Sequence, residues 1–207
     1  MTFKTIIFDF DGTIADTQRY LVDIANRLAD EFHFKKIDSA DIDKLRKMTA
    51  FQACRHLNIK PLSIPFIYKR AKEEYYKTLH EIRPFEGVRE IIMEIKKLGH
   101  KIGILSSNSV KNVQSFLTLH RYDFFDFVHS TSKIFGKNIS LKKLLKKNAN
   151  EHVIYIGDET RDIEAAKKAG IKAAAVTWGY NSPSILESFK PDFMIKQPLE
   201  LMALCNI

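Results

Sequence analysis

Two carboxylates one residue apart, Asp9 and Asp11, follow a short apolar run, Ile6-Ile7-Phe8, and precede Gly12 and Thr13. A pair at i and i+2 leaving a strand points two negative groups the same way. Such groups repel unless a cation neutralises them, and a hard, oxygen-seeking ion such as Mg²⁺ suits that task. Gly12 permits a tight backbone excursion just after them. Taken alone, the same residues also describe a strand that ends in a solvated Asp-Gly turn.

Other strand ends carry different chemistry. Ser106-Ser107-Asn108 follows the run Lys101 to Leu105. Gly157-Asp158-Glu159-Thr160-Arg161-Asp162 follows His152 to Ile156, and Phe135-Gly136-Lys137 sets a lysine just before a helix. Each has an ordinary alternative: a helix cap, a surface lysine, an acid favoured by a helix dipole. Together they match what a phosphate monoester demands. That dianion resists attack by an anion, so a metal, a hydroxyl and an ammonium must offset its charge. A carboxylate can then attack in line and form an aspartyl phosphate. A second acid protonates the leaving alcohol and later deprotonates water.

A parallel sheet is what brings such strand ends together. The first apolar run is short, β-branched and aromatic, and reads as a buried central strand. After Pro84 the pattern alternates: helix Val88 to Leu98, strand Lys101 to Leu105, helix Val110 to Leu119, strand Phe124 to Val128, helix Ile139 to Leu145. Strand His152 to Ile156, helix Thr160 to Ala169 and strands Ile171 to Val176 and Phe193 to Ile195 complete it. The expected class is α/β, a doubly wound parallel sheet built from right-handed crossovers. Residues 16–82 read as helices only. Asp16 or Thr17 caps the first, whose apolar face is Leu21, Ile24, Ala25, Leu28 and Phe32. Ser39 opens a second helix through Lys47, Thr49 to Gln52 forms a capping box for a third, and a fourth runs from Pro65 to His80. The expected organisation is a core of residues 1–15 and 83–207 with an inserted helical bundle, 16–82.

Composition restricts the setting. The chain has 207 residues, 45% hydrophobic, enough for one sizeable core plus a smaller unit. No apolar run approaches the ~18 residues of a membrane span, and the N-terminus lacks the pattern of a signal peptide. Two cysteines, Cys54 and Cys205, make no disulfide or zinc framework, so a reducing cytoplasm is the expected location. The net charge of +8 admits either nucleic acid or small anions as partners. Much of the excess lies in Lys133 to Lys147, where lysines fall at helical spacing. No aromatic side chains interleave there, so a solvated helix face is expected and no nucleic acid.

Taken together, the DFDGT stretch at Asp9 to Thr13, the strand ending at Ser106, the Gly136-Lys137 step and GDETRD at Gly157 to Asp162 resemble the haloacid dehalogenase superfamily of phosphatases. The motifs span the whole length. The stretch GDETRDIEAAKKAG, followed by VTWGY, is most similar to the phosphoglycolate phosphatase-like branch, and the helical insertion resembles that branch's cap. The resemblance implies that Asp9 is the nucleophile and a Mg²⁺ ligand. It implies Asp11 as general acid and base, with its backbone carbonyl on the metal. Ser106 and Lys137 would hold the phosphoryl group, Asp158 would complete the metal site, and Asp162 would support it. Backbone groups around Phe10, Asp11, Gly12, Thr13 and Ser107 would meet phosphate oxygens, and Asn108 would orient Ser106 or touch substrate. The family often has proline after the lysine, whereas here Asn138 follows Lys137, which leaves Lys133 as a rival.

Four alternatives are open. A true dehalogenase needs no acid at the position of Asp11. A sugar-phosphate mutase shares the core and differs in how the cap excludes water. A phospho-receiver domain would lack the helical insertion, and a nucleic-acid-binding module is motivated by charge alone. The expected partner is a small-molecule phosphate ester, with no membrane, and the expected assembly a monomer or homodimer. Substrate contacts beyond the phosphate fall to the cap, where Arg46, Arg55 and His56 are the polar candidates. Arg46 is taken as a substrate residue that pairs the carboxylate of an ester such as 2-phosphoglycolate.

Overall fold

A computed structural model of the chain describes residues 3–131, 136–147 and 152–205. Strand β1 (Thr5–Phe8) is buried at every residue. After the Asp9 to Thr13 loop comes the two-residue strand β2 (Ala15–Asp16). Four helices follow: α1 (Gln18–Phe32), α2 (Ser39–Leu45), α3 (Ala50–His56) and, beyond a 3-10 turn at Pro61–Ser63, α4 (Ile64–Thr78). β3 (Arg83–Pro84) returns the chain. Helix and strand then alternate through α5 (Val88–Lys97), β4 (Lys101–Ser106), α6 (Val110–Leu119), β5 (Phe127–Ser130), α7 (Lys137–Lys147) and β6 (Val153–Gly157). The chain continues through α8 (Thr160–Ala169), β7 (Lys172–Val176), α9 (Pro183–Ser188) and β8 (Phe193–Ile195), and a 3-10 stretch, Pro198–Cys205, closes it.

Six strands form one parallel sheet in the order β5-β4-β1-β6-β7-β8. The fold is α/β and doubly wound, as the alternation predicts. β1 lies at the point where the strand order reverses, between β4 and β6, with Phe8 level with both Ile104 and Ile156. The carboxyl ends of these three strands therefore open into one crevice. Alternate residues serve opposite faces. Ile6, Phe8, Ile102, Ile104, Ile154 and Ile156 join one apolar cluster, while Ile7, Leu105, Val153 and Tyr155 join the other.

The helices of residues 16–82 extend the first cluster, with Ile24 and Leu28 of α1, Tyr75 of α4 and Leu79 just after it buried there. The two crossings lie side by side as an antiparallel pair, Ala15 opposite Pro84 and Asp16 opposite Arg83. Among the described residues no helix is long and apolar enough to cross a membrane.

Several local expectations need correction. Asp16 belongs to β2, and Thr17 heads α1 without a side-chain cap because its hydroxyl meets Tyr180 instead. Asp38, not Ser39, caps α2 by accepting the Asp41 N–H at 2.9 Å, and that helix ends at Leu45. β5 starts at Phe127 rather than Phe124. Phe124 and Phe125 are drawn into an aromatic cluster with Tyr122, where burying rings outcompetes extending an edge strand. α7 starts at Lys137, two residues earlier than its apolar pattern suggests. The box of Thr49 and Gln52 forms as expected.

Candidate active site

The loop after β1 needs glycine at position 12 for two reasons. Its φ is +79°, and a Cβ there would collide with the Asp158 carboxylate. That close approach brings the ends of β1 and β6 into contact. Asp9 is buried, and neither of its carboxylate oxygens receives a well-aligned hydrogen bond; Lys137 Nζ stands 2.7 Å from Oδ2 as an ion pair. The same ammonium lies 2.5 Å from Asp162 Oδ1. Asp162 Oδ2 accepts the Glu159 N–H at 3.1 Å, so both its oxygens are engaged. Asp158 accepts from Thr13 Oγ1 at 3.0 Å and from the Tyr180 N–H at 2.7 Å.

Asp9, Asp158 and Asp162 each offer an oxygen within 4.8 Å of the others, all three buried. With Asp11 and Glu159 close by, five carboxylates face two cations, Lys137 and Arg161. Burial, set against the Lys137 ammonium, pushes the Asp9 carboxyl up to about 7. Burial and then Glu159, Asp162 and Asp9 hold Asp158 well above the usual carboxylate range. Burial pulls the Lys137 ammonium down, but Asp162 and Asp9 outweigh it and keep it above its ordinary value. A hard divalent cation fits this donor set: all-oxygen, acidic in excess, with Asp9 Oδ1 buried and unpartnered.

Asp11 stands apart from that cluster. Asn108 Nδ2 donates to its Oδ2 at 3.1 Å, while Oδ1 is buried without a partner. Burial raises its pKa, opposed by the Tyr75 hydroxyl and by Asn108. A carboxyl whose proton affinity is raised by burial in this way is suited to exchanging a proton with a leaving group. Ser106 ends β4, buried, with its Oγ accepting the Asn108 N–H at 2.9 Å and its own hydrogen still to donate. From Asp11 a cavity of about 400 Å³ opens toward the helices of residues 16–82.

The family model for haloacid dehalogenase-like hydrolases matches residues 6–176. The chain belongs to that family. A phosphoglycolate phosphatase of Synechococcus elongatus is 33% identical over 202 residues, 96% of this chain and 95% of that one. Pyrophosphatase PpaX of Bacillus thuringiensis is 25% identical over all of this chain and 98% of its own. Among solved structures, a haloacid dehalogenase-like hydrolase from Streptococcus pneumoniae superposes with TM-score 0.80 at 22% identity, covering 97% of each chain. CbbY from Rhodobacter sphaeroides, solved with phosphate, superposes with TM-score 0.75 at 20% identity over the full length of both. These two structures speak to the fold alone. The chain is thus an enzyme, a hydrolase whose curated relatives release phosphate.

Within this hydrolase frame the sequence-derived residues divide. Asp9, Asp11, Ser106, Lys137, Asp158 and Asp162 converge on one crevice. Thr13 spends its hydroxyl on Asp158. Phe10 turns its ring into the core, 5.0 Å from Phe116, so only its main chain can serve the site. Ser107 gives its carbonyl to the Tyr68 hydroxyl. Asn108 reaches Asp11 as well as Ser106, a tie that spacing does not reveal. Of the cap residues, Arg46 lines the cavity. Arg55 lies on an outer groove with Lys47 and Gln52, and His56 is held 3.0 Å from Asp41, so neither lines it. Arg161, quoted within its motif but given no role by sequence, pairs with Glu159 at 2.6 Å beside the carboxylates. Phe135 and the rival Lys133 lie outside the described residues. Lys137→Ala should lower kcat/KM by roughly 10²–10³-fold, the scale of one lost charge-stabilising donor. Lys133→Ala should change it little, and the reverse ranking in steady-state assays would reject the assignment.

Proposed function

We propose that the chain is a Mg²⁺-dependent phosphatase that hydrolyses a small phosphate monoester through an aspartyl phosphate on Asp9. One observation carries the reading. Asp9, buried against the Lys137 ammonium, and Asp11, bonded by Asn108, are two carboxylates at one strand end placed in unlike environments. Unlike environments suit two such carboxyls to different roles, one to attack and one to carry a proton. Mg²⁺ would be held by the Asp9 and Asp158 carboxylates and the Asp11 main-chain carbonyl, and when bound it offsets charge on the phosphoryl oxygens. Asp162 would support the metal site while holding Lys137.

The residues then share the work. Lys137 and the Ser106 hydroxyl bind phosphoryl oxygens. An Asp9 oxygen bonds to phosphorus as the ester P–O bond breaks, and the Asp11 carboxyl gives its proton to the departing alkoxide. The Asp11 carboxylate next takes a proton from water, whose oxygen bonds to phosphorus as the bond to Asp9 breaks. Inorganic phosphate leaves and both aspartates return to their first state. The cap helices, joined to the core by the β2–β3 crossings, exclude bulk water during this sequence. Among esters, 2-phosphoglycolate is suggested by the relative from Synechococcus elongatus, and Arg46 is the residue suited to its carboxylate. The test is a panel of phosphate monoesters. Turnover is expected with Mg²⁺, none in excess chelator, and recovery on adding Mg²⁺ back; undiminished hydrolysis in chelator would reject the metal assignment.

A further inference from the structure

The cavity beyond Asp11 has a wall unlike that of a site for a small acid. Beside the core residues Leu21, Ala71 and Tyr75, its apolar side carries five more side chains, Val22, Ile37, Ile42, Leu45 and Met48. None of these five joins either hydrophobic cluster of the described residues, and each is half-buried or exposed only in part. They are apolar surface that the fold itself does not use. Several polar side chains of the wall also contact one another. Arg46 Nη1 donates to Gln18 Oε1 at 3.3 Å, Arg161 pairs with Glu159, and the Lys72 ammonium sits 4.1 Å over the Tyr68 ring.

Size points the same way. A volume of about 400 Å³ lies in the range of pockets that enclose drug-sized ligands, and holds the equivalent of roughly a dozen liquid waters. The two-carbon acid of phosphoglycolate would occupy only the polar end and leave the Ile42 and Leu45 side wet. We infer that this chamber binds the leaving group of a phosphate monoester whose alcohol carries a contiguous apolar body of several carbons, with Ile42 and Leu45 setting the preference. The inference rests on the phosphatase reading above and deepens it. Two-carbon esters enter the same site but gain nothing from this wall.

Straight-chain alkylphosphonates test it, since their C–P bond survives the proposed chemistry and binding is read alone. With Mg²⁺ present, calorimetric affinity should rise by up to roughly 4-fold per methylene from ethyl- to hexylphosphonate, the transfer value for a buried CH₂. Ile42→Asn and Leu45→Asn should each cut the hexyl-to-ethyl affinity ratio by about 10-fold, on the same per-methylene scale. A flat series in the wild-type protein would overturn the inference without any variant. So would tighter binding of 3-phosphonopropionate, the isostere of 2-phosphoglycolate, than of hexylphosphonate. Turnover of hexyl phosphate in the same buffer tests the underlying reading separately. A steep binding series with no ester hydrolysed would overturn the phosphatase reading and the leaving-group assignment with it. A flat series beside active turnover would overturn the chamber inference alone.

Discussion

Asp9→Asn should abolish turnover, with a loss on the order of 10⁵-fold or more, the scale seen when a nucleophile is removed from a concerted site. Asparagine keeps the shape of aspartate, so packing at the end of β1 is retained. The amide cannot form the acyl phosphate. The substitution also removes one negative charge from a buried cluster in which Asp9 and Asp162 share Lys137. Lys137 keeps Asp162 as its partner, so no buried cation is orphaned. Thermal stability of the metal-free variant should therefore equal or exceed that of the wild type. A variant that folds as well and still turns over at a near-normal rate would remove Asp9 from the mechanism.

Asp11→Asn should slow kcat by roughly 10²–10⁴-fold, the range of general acid–base catalysis. The expected effect is smaller because the phosphoryl acceptor and its cations are intact. Asparagine can still pair with Asn108 but has no proton to give an alkoxide. Metal affinity should change little, since the proposed Asp11 contact is through the main chain. The deficit in kcat/KM, which reports transfer to Asp9, should shrink for esters of acidic alcohols, which depart without protonation. Equal deficits for alkyl and nitrophenyl esters would contradict the acid role.

The sheet was legible because β1, β4 and β6 are short apolar runs whose polar exits carry distinct chemistry, and a parallel sheet has one way to gather them. Lys137, expected just before a helix, is the first residue of α7, and its ammonium reaches Asp9 and Asp162. What escaped the sequence depended on contacts distant along the chain. Asn108 resembles a helix cap until β4 brings it to Asp11, 97 positions earlier. Tyr75 reads as one more apolar position on the α4 face, and burial bears that out. Its hydroxyl nonetheless lies beside Asp11, which periodicity cannot express. Phe124 and Phe125 have strand propensity, yet the aromatic cluster claimed them. The chamber was hidden for a related reason. Nothing in the spacing of Ile42 and Leu45 shows that, among the described residues, they join neither hydrophobic cluster.

The central claim is a covalent phosphate on Asp9. Because the proposed second step needs Asp11 as a base, the Asp11→Asn variant should accumulate the acyl phosphate. Mixing that variant with Mg²⁺ and a reactive ester such as nitrophenyl phosphate, quenching in acid and mapping peptides by mass spectrometry reads the intermediate directly. The account predicts one phosphate on the peptide containing Asp9, lost on hydroxylamine treatment and absent when Asp9→Asn is added. Turnover with no labelled protein, or a stable label on any other residue, would contradict it.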